Sequence, residues 1–211
     1  MELAVFNTTG TETGRKVTLS QDVFGIEPND HAIYLDVKQF LANQRQGTHS
    51  SLERSMVSGS TKKLHRQKGT GGSRKGSIKS GTRVGGARIF GPQPRDYSFK
   101  LNKKLKQLAR KSALAYKAKE NNITVLENFS FDAPKTKNFV NILNSLKLNN
   151  TKTLIVIGDY NEFIYRSSRN LPKSKVVTAG DVNTYEILNA QKVILLENSL
   201  GVIDNLFNKV K

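Results

Sequence analysis

The 211-residue chain contains no cysteine and no tryptophan. Without cysteine there are no disulfides, thiolate zinc sites or thiol nucleophiles. The three histidines, His31, His49 and His65, are too scattered to suggest a metal site. No apolar run exceeds four residues, and the N-terminus lacks the basic and apolar regions of a signal peptide. These absences predict a soluble, cytoplasmic protein with no membrane partner.

Acidic residues are also scarce, and the charge is unevenly distributed. The chain has 34 Lys and Arg against 17 Asp and Glu. From Arg54 to Lys111 there are 17 basic residues and one acid, Asp96, so this segment carries +16 of the total +17. Such a concentration of positive charge is typical of proteins that neutralise phosphates, whose binding is steeply salt-dependent. The charge predicts a nucleic-acid partner.

The segment 46–97, which we call the arm, has no hydrophobic periodicity. It consists mainly of Ser, Gly, Lys, Arg and Gln, and cannot bury enough apolar area to offset its ordering entropy. It is therefore either a disordered linker or an extended RNA-binding loop that orders on its partner. Phe90, Tyr97 and Phe99 favour the binding loop, because a linker has no need of aromatic residues.

Residues 1–45 and 98–211 are predicted to form a globular α/β body. A hairpin of segments 3–6 and 16–19 is followed by apolar strands at 123–126, 154–157, 176–177 and 193–196. Helical patterns begin after Asn29 or Asp30, after Leu101, near Phe139, at Glu162, after a cap at Asp181 and near Val202. Short apolar strands separated by helices predict a mainly parallel sheet with helices on both faces.

The glycines of the arm suggest a nucleotide-binding enzyme as an alternative. Gly71 and Gly76 have the spacing of a phosphate loop, but Ser77 follows without the required Lys, and no strand leads in. Asp159 and Asp181 follow apolar strands, a position where α/β enzymes place acids. An Asp near the start of a helix is, however, commonly a cap, which is sufficient to explain both residues. No nucleophile or His–acid pair indicates catalysis. We therefore predict no enzymatic activity, cofactor or metal.

Short motifs in a fixed order resemble those of the bacterial family of ribosomal large-subunit protein four. In the arm they are RQKGTG (66–71), GSIKS (76–80), GG (85–86), FGP (90–92) and PRDY (94–97). In the body they are NKK (102–104), KSAL (111–114), APKTK (133–137) and RNL (169–171). The resemblance covers nearly the whole chain and is highly specific.

The resemblance implies a structural protein whose α/β body lies on the outer surface of the large ribosomal subunit. It also implies that the arm reaches into large-subunit ribosomal RNA, supports early assembly, and helps to line the peptide exit tunnel near the macrolide-binding region. The implied partners are that RNA, neighbouring large-subunit ribosomal proteins and the nascent peptide. Some members of the family also repress their own operon.

We expect the cations and nearby polar residues of the arm, and the basic side of the helix after Leu101, to contact RNA. Arg grips phosphates bidentately, Lys acts as a point charge, and Gly allows close backbone approach. The predicted RNA-binding residues are Arg54, Lys62, Lys63, His65, Arg66, Gln67, Lys68, Gly69, Thr70, Gly71, Arg74, Lys75, Ser77, Lys79, Arg83, Arg88, Arg95, Lys103, Lys104, Arg110 and Lys111. The predicted exit-tunnel tip is Lys68, Gly69, Thr70, Gly71, Gly72, Ser73, Arg74 and Lys75.

The chain departs from the family pattern at three places in the arm. Where the family usually has a Pro–Trp pair, this chain has Leu64 and His65. The family's Arg-Ala-Arg is replaced by Gly-Ser-Arg at 72–74, and its Pro-x-Trp-Arg by Gly-Thr-Arg-Val at 81–84. Each lost stacking contact with a base is worth about 1–3 kcal/mol in single-strand binders. The RNA-binding expectation therefore rests on charge. A general DNA-compacting protein, the remaining alternative, would bind any duplex rather than prefer structured RNA.

Overall fold

The computed structural model describes residues 1–208 and divides into two compact units. The body comprises Met1–Leu41 and Lys100–Lys211, and the arm unit comprises Ala42–Phe99. The strands are β1 (Glu2–Phe6), β2 (Glu12–Thr18), β3 (Ile123–Leu126), β4 (Thr153–Ile157), β5 (Ser174–Thr178) and β6 (Lys192–Leu196). The helices are α1 (Gln21–Phe24), α2 (Asp30–Asn43), α3 (Lys103–Lys119), α4 (Thr136–Ser145), α5 (Glu162–Ser168), α6 (Thr184–Asn189) and α7 (Glu197–Asn208).

The six strands form one sheet in the order β2-β1-β3-β6-β4-β5. Only β1 and β2 pair in antiparallel fashion, and the other four neighbouring pairs are parallel. Successive side chains of a strand point to opposite faces. Accordingly, Leu154 and Val156 of β4 join one hydrophobic core, whereas Ile155 and Ile157 join the other. Burial on both faces explains why β4 is apolar at almost every position.

Helices cover both faces of this sheet. The first core receives buried residues from α1, α3, α6 and α7, including Val23, Leu114, Ile187 and Ile203. The second receives Phe139 from α4 and Ile164 from α5. The predicted α/β class, with a mainly parallel sheet between layers of helices, is confirmed.

The side chains that helix α2 buries are not those of its large apolar residues. Its buried residues are Ala32, Asp36 and Gln39, whereas Leu41 is exposed and Ile33 and Val37 are half-buried. The Asp36 carboxylate accepts a hydrogen bond of 2.5 Å from the Thr184 hydroxyl. A buried polar group with a partner avoids most of its desolvation cost. Hydrophobic periodicity compares only neighbouring residues, so it could not predict that Asp36 is buried against Thr184, which is distant in sequence.

The structure also revises details at the ends of elements. Asn29, rather than Asp30, caps α2 by accepting a hydrogen bond of 2.9 Å from the Ala32 amide. Asn183 caps α6 by accepting a hydrogen bond of 2.8 Å from the Glu186 amide. Asp181, the suggested cap, instead accepts from the Thr178 hydroxyl. The short helix α1 was not predicted, and β2 begins at Glu12 rather than residue 16 because its polar first half lies on an exposed edge.

Candidate nucleic-acid interface

Two limbs of the arm run back along one another. Within the described chain, residues 45–99 form neither helix nor strand. The outgoing limb (45–64) and the returning limb (76–97) are instead joined by hydrogen bonds between their backbones. These are Arg95 N–H to Gly47 O (3.1 Å), Ser51 N–H to Pro92 O (3.0 Å), Arg88 N–H to Leu52 O (3.0 Å) and Leu64 N–H to Gly76 O (3.2 Å). The arm is thus a narrow double strand of irregular backbone.

At the base of the arm, Tyr97 holds the two limbs together. The guanidinium carbons of Arg45 and Arg95 lie 3.7 Å and 4.4 Å from the centroid of the Tyr97 ring. The Tyr97 hydroxyl lies 3.2 Å from Nε2 of His49. Gly47 has a φ of +66°, and a Cβ there would collide with the Arg95 carbonyl oxygen and the Tyr97 ring. This approach of the limbs requires glycine at position 47.

Farther along the arm, the side chains of three predicted RNA-binding residues make hydrogen bonds within the arm. Ser77 is only 4% exposed, and its hydroxyl donates a hydrogen bond of 3.1 Å to the carbonyl oxygen of Ser60 on the outgoing limb. The hydroxyl oxygen of Ser77 also accepts a hydrogen bond of 3.2 Å from the Lys79 amide. Nearer the tip, Lys63 donates to the side-chain oxygen of Gln67. In the structure Ser77 therefore links the limbs.

The predicted tip lies beyond the bond between Leu64 and Gly76. Gly69 and Gly71 adopt φ values of +83° and +65°, and a Cβ at either position would meet nothing within 4 Å. Residues 68–74 are all exposed, and Lys75 is half-buried. The turn is therefore open beside these two glycines, which permits close approach of a partner to its backbone.

The predicted arm cations lie at the surface without acidic partners. Lys75, Lys79 and Arg83 are half-buried, and the other predicted Lys and Arg of the arm are exposed. Among the described residues, every ion pair involves Arg15, Lys16, Arg166 or Lys175, none of which is in the arm. The backbone and hydroxyl hydrogen bonds of Ser98 lower the pKa of Asp96, the arm acid nearest Tyr97. The positive charge of the arm is thus available to an external polyanion.

Helix α3 of the body presents the second group of predicted contacts. Lys103 and Lys104 are exposed in its first turn, where there is no acidic residue. Cations at a helix N-terminus oppose the helix dipole, typically by about 0.3–1 kcal/mol each, so they do not serve helix stability. Arg110 and Lys111 are half-buried, and the Lys111 ammonium lies 5.8 Å from the centroid of the Phe207 ring. The four cations differ in accessibility, with the first two more open to a ligand.

Phe90 was not among the predicted contacts. It is fully exposed and has a φ of +51°, in the left-handed region. Such a backbone conformation costs a non-glycine residue about 1–3 kcal/mol and often marks a functional position. The sequence could have suggested Phe90 as a contact because it is an aromatic residue in a basic segment. Its exposure and backbone angle, however, are evident only in the folded arm.

In the part of the chain that the structure describes, no three His, Asp or Glu side chains are grouped so as to hold a metal ion. Nor does any helix within residues 1–208 combine the length and apolar character needed to cross a bilayer.

Comparison with known proteins agrees with the motifs of the arm. The profile described as the Ribosomal protein L4/L1 family matches residues 17–205. Proteins named Large ribosomal subunit protein uL4 align over nearly the full length. The one from Parabacteroides distasonis is 61% identical over 207 residues, 98% of this chain and 99% of its own. Those from Phocaeicola vulgatus and Flavobacterium johnsoniae are 60% and 58% identical, each covering 99% of this chain and 100% of its own.

A profile match across most of the chain and such high identity over its full length confirm the resemblance found in the motifs. The chain belongs to the ribosomal protein L4/L1 family.

Proposed function

We propose that this protein is a structural constituent of the large ribosomal subunit, located in the cytoplasmic ribosome, that binds ribosomal RNA through its arm. The names of its full-length relatives support the large-subunit assignment. The observation that carries the RNA-binding role is the concentration of arm cations that lack acidic partners. A charge of this density would repel itself in isolation and gains most by replacing the counterions of a nucleic acid.

The form of the arm suits penetration between RNA helices. Its two limbs stay close because backbone hydrogen bonds and the contacts of Tyr97 with Arg45 and His49 join them. Cations then lie on both limbs and can meet phosphates on either side. Phosphate contacts position the arm, while RNA shape and unpaired bases supply specificity. We assign Lys103, Lys104, Arg110 and Lys111 of α3 a separate anchoring role on backbone phosphates.

We further propose that the tip (68–75) contributes to the wall of the peptide exit tunnel, beside the nascent peptide. It is the turn of the arm beyond the last backbone bond between the limbs, and it is exposed. Its two left-handed glycines make it compact. A compact cationic turn can pack among RNA phosphates and still present backbone to a passing peptide.

The proposed contribution to assembly follows from the number of phosphate contacts that a highly charged arm can make. RNA that closes around the arm gains many phosphate contacts at once, so binding favours the folded form of both partners. The body is proposed to contact neighbouring ribosomal proteins. We propose no catalytic role and no cofactor for either unit.

The experiment that tests this function is retention in ribosomes. The protein should cosediment with large subunits after a high-salt wash. In competition at fixed salt, structured large-subunit ribosomal RNA should displace the protein from duplex DNA more effectively than duplex DNA displaces it from that RNA. Loss from the subunits on washing, together with equal affinity for both nucleic acids, would indicate a general nucleic-acid compacting protein instead.

A further inference from the structure

We propose that Phe90 is a preformed stacking residue that inserts its ring against an unpaired base of the bound RNA. This inference rests on the proposed function of the arm and adds a contact of a different chemical kind. The predicted contacts are charged or polar, whereas Phe90 is a fully exposed aromatic ring. Its exposure follows from three features of the surrounding backbone.

The first feature is a mismatch between the limbs. Ser51 N–H donates to the Pro92 carbonyl, and Arg88 N–H donates to the Leu52 carbonyl. Two adjacent residues of the outgoing limb therefore oppose the five positions 88–92 of the returning limb. The returning limb has more residues here than a regular pairing can accommodate, so it bulges between the two bonds, as a strand does at a strand bulge.

The second feature is close contact on either side of Phe90. A Cβ at Gly91 would overlap the side chain of Ser51, so Gly91 lies directly against the outgoing limb. A Cβ at Gly81 would overlap the Ile89 side chain, so part of Ile89 touches the backbone of its own limb, although the side chain is 58% exposed. Phe90 lies between these two contacts and is itself fully exposed.

The third feature is the backbone angle of Phe90 itself. Its φ of +51° is sterically unfavourable for a residue with a Cβ. Pro92 further restricts the backbone of Gly91. The hydrogen bonds on either side hold the conformation, so the ring is displayed before any partner arrives. A preformed contact loses less entropy on binding than a flexible one.

The surroundings favour a nucleobase over a protein pocket as the partner of the ring. Arg83, Arg88 and Arg95 lie in the same limb, and no acid occurs between Thr61 and Arg95. A protein surface would have to match this charge around an aromatic anchor, whereas RNA supplies phosphates beside every base. Every base also has a face on which an aromatic ring can stack. The ring would recognise an unpaired base and not a particular sequence.

Binding of protein-free large-subunit ribosomal RNA by the full-length protein tests the proposal. Phe90→Ala should weaken binding about tenfold, the lower part of the range for one stacked base. Phe90→Trp should bind as tightly as the wild type. Phe90→Asn is the backbone control, because Asn tolerates positive φ but has no ring; it should lose as much affinity as Phe90→Ala. None of these variants should change the slope of affinity against salt, because no charge is altered.

A photoreactive phenylalanine analogue at position 90, incorporated into large subunits, provides the second readout. We expect an adduct with RNA. An adduct with a protein, or none, would overturn the stacking role. So would Phe90→Asn binding like the wild type, since the backbone alone would then matter, or unchanged binding by Phe90→Ala. If the wild-type protein itself shows no salt-dependent RNA binding, the proposed function fails and takes this inference with it.

Discussion

The guanidinium group of Arg45 lies over the ring of Tyr97, 3.7 Å from its centroid, and joins the start of the arm to its end. Arg95 lies 4.4 Å from the same centroid. A cation over an aromatic ring contributes about 0.5–1 kcal/mol at an exposed site. Arg95 is on the same limb as Tyr97, whereas Arg45 and His49 belong to the outgoing limb, so Tyr97 links the two limbs through Arg45 and His49.

Replacing Tyr97 with Ala should therefore open the base of the arm. In the free wild-type protein we expect trypsin to cut first between Lys62 and Arg88, where the basic side chains are mostly exposed. In Tyr97→Ala, early cuts should appear also at Arg45 and Arg95. Tyr97→Phe keeps the ring and should retain the wild-type pattern. Equal resistance of arm and body in the wild type would contradict the expected difference in local stability.

The core of the body should not tolerate charge at Ile155. This residue is 2% exposed in β4, which lies between β6 and β5. Ile155→Asp would bury an unpaired charge at a cost of several kcal/mol, against a total stability of roughly 5–15 kcal/mol. We expect the variant to be unfolded by circular dichroism. Asn170→Asp, which adds the same charge at an exposed position, should keep the wild-type melting temperature.

Asp204 in α7 should make stability depend on pH. Burial, with a further contribution from the negative charge of Asp22, raises the pKa of Asp204 above its ordinary value of 3.8. One of its oxygens, Oδ1, is buried without a hydrogen-bond partner among the described residues. Because folding favours the protonated form, this contribution to stability is fully present below pH 3.8 and is lost as pH rises through the folded-state pKa.

Asp204→Asn, which resembles the protonated form, should consequently melt at a higher temperature than the wild type at pH 7. The difference should shrink toward zero as the pH falls to 3.8, the ordinary value. Asp22→Asn removes the weaker cause and should give a smaller gain. A lower melting temperature for Asp204→Asn at pH 7 would show that the carboxylate has a stabilising partner.

The anchoring helix and the tip should fail in different ways. Alanine at all four predicted α3 cations should weaken RNA binding and reduce the salt slope by about 0.7–0.9 per lost phosphate contact. Incorporation into large subunits should fall. Lys68→Glu at the tip should instead leave incorporation intact but change the response to macrolides or the stalling of nascent chains.

Both variants can be compared by their occupancy in purified large subunits and by the drug susceptibility of the cells that carry them. Lys173→Ala, a change of one exposed cation in the body outside both predicted groups, serves as the control. If the tip variant is excluded from subunits while the α3 variant assembles normally, the proposed division between anchor and tip is wrong.

Much of the body could be predicted because its signals are local. The run 154–157 and the run 193–196 are apolar at every position, and each became a strand buried on both faces. The charge of the arm, its lack of periodicity and its family motifs were equally plain without a structure. Such features depend only on the composition and order of nearby residues.

Tertiary structure decided the features that depend on distant partners. The placement of β6 between β3 and β4, the burial of Asp36 against Thr184 and the capping of α6 by Asn183 all depend on the packed arrangement of the chain. In the arm, the bulge that exposes Phe90 arises because residues 51–52 oppose residues 88–92. Charge and hydrophobicity are carried by each residue and so are determined by the sequence alone. Which polar groups find partners, and which rings remain exposed, is settled only when separate segments meet.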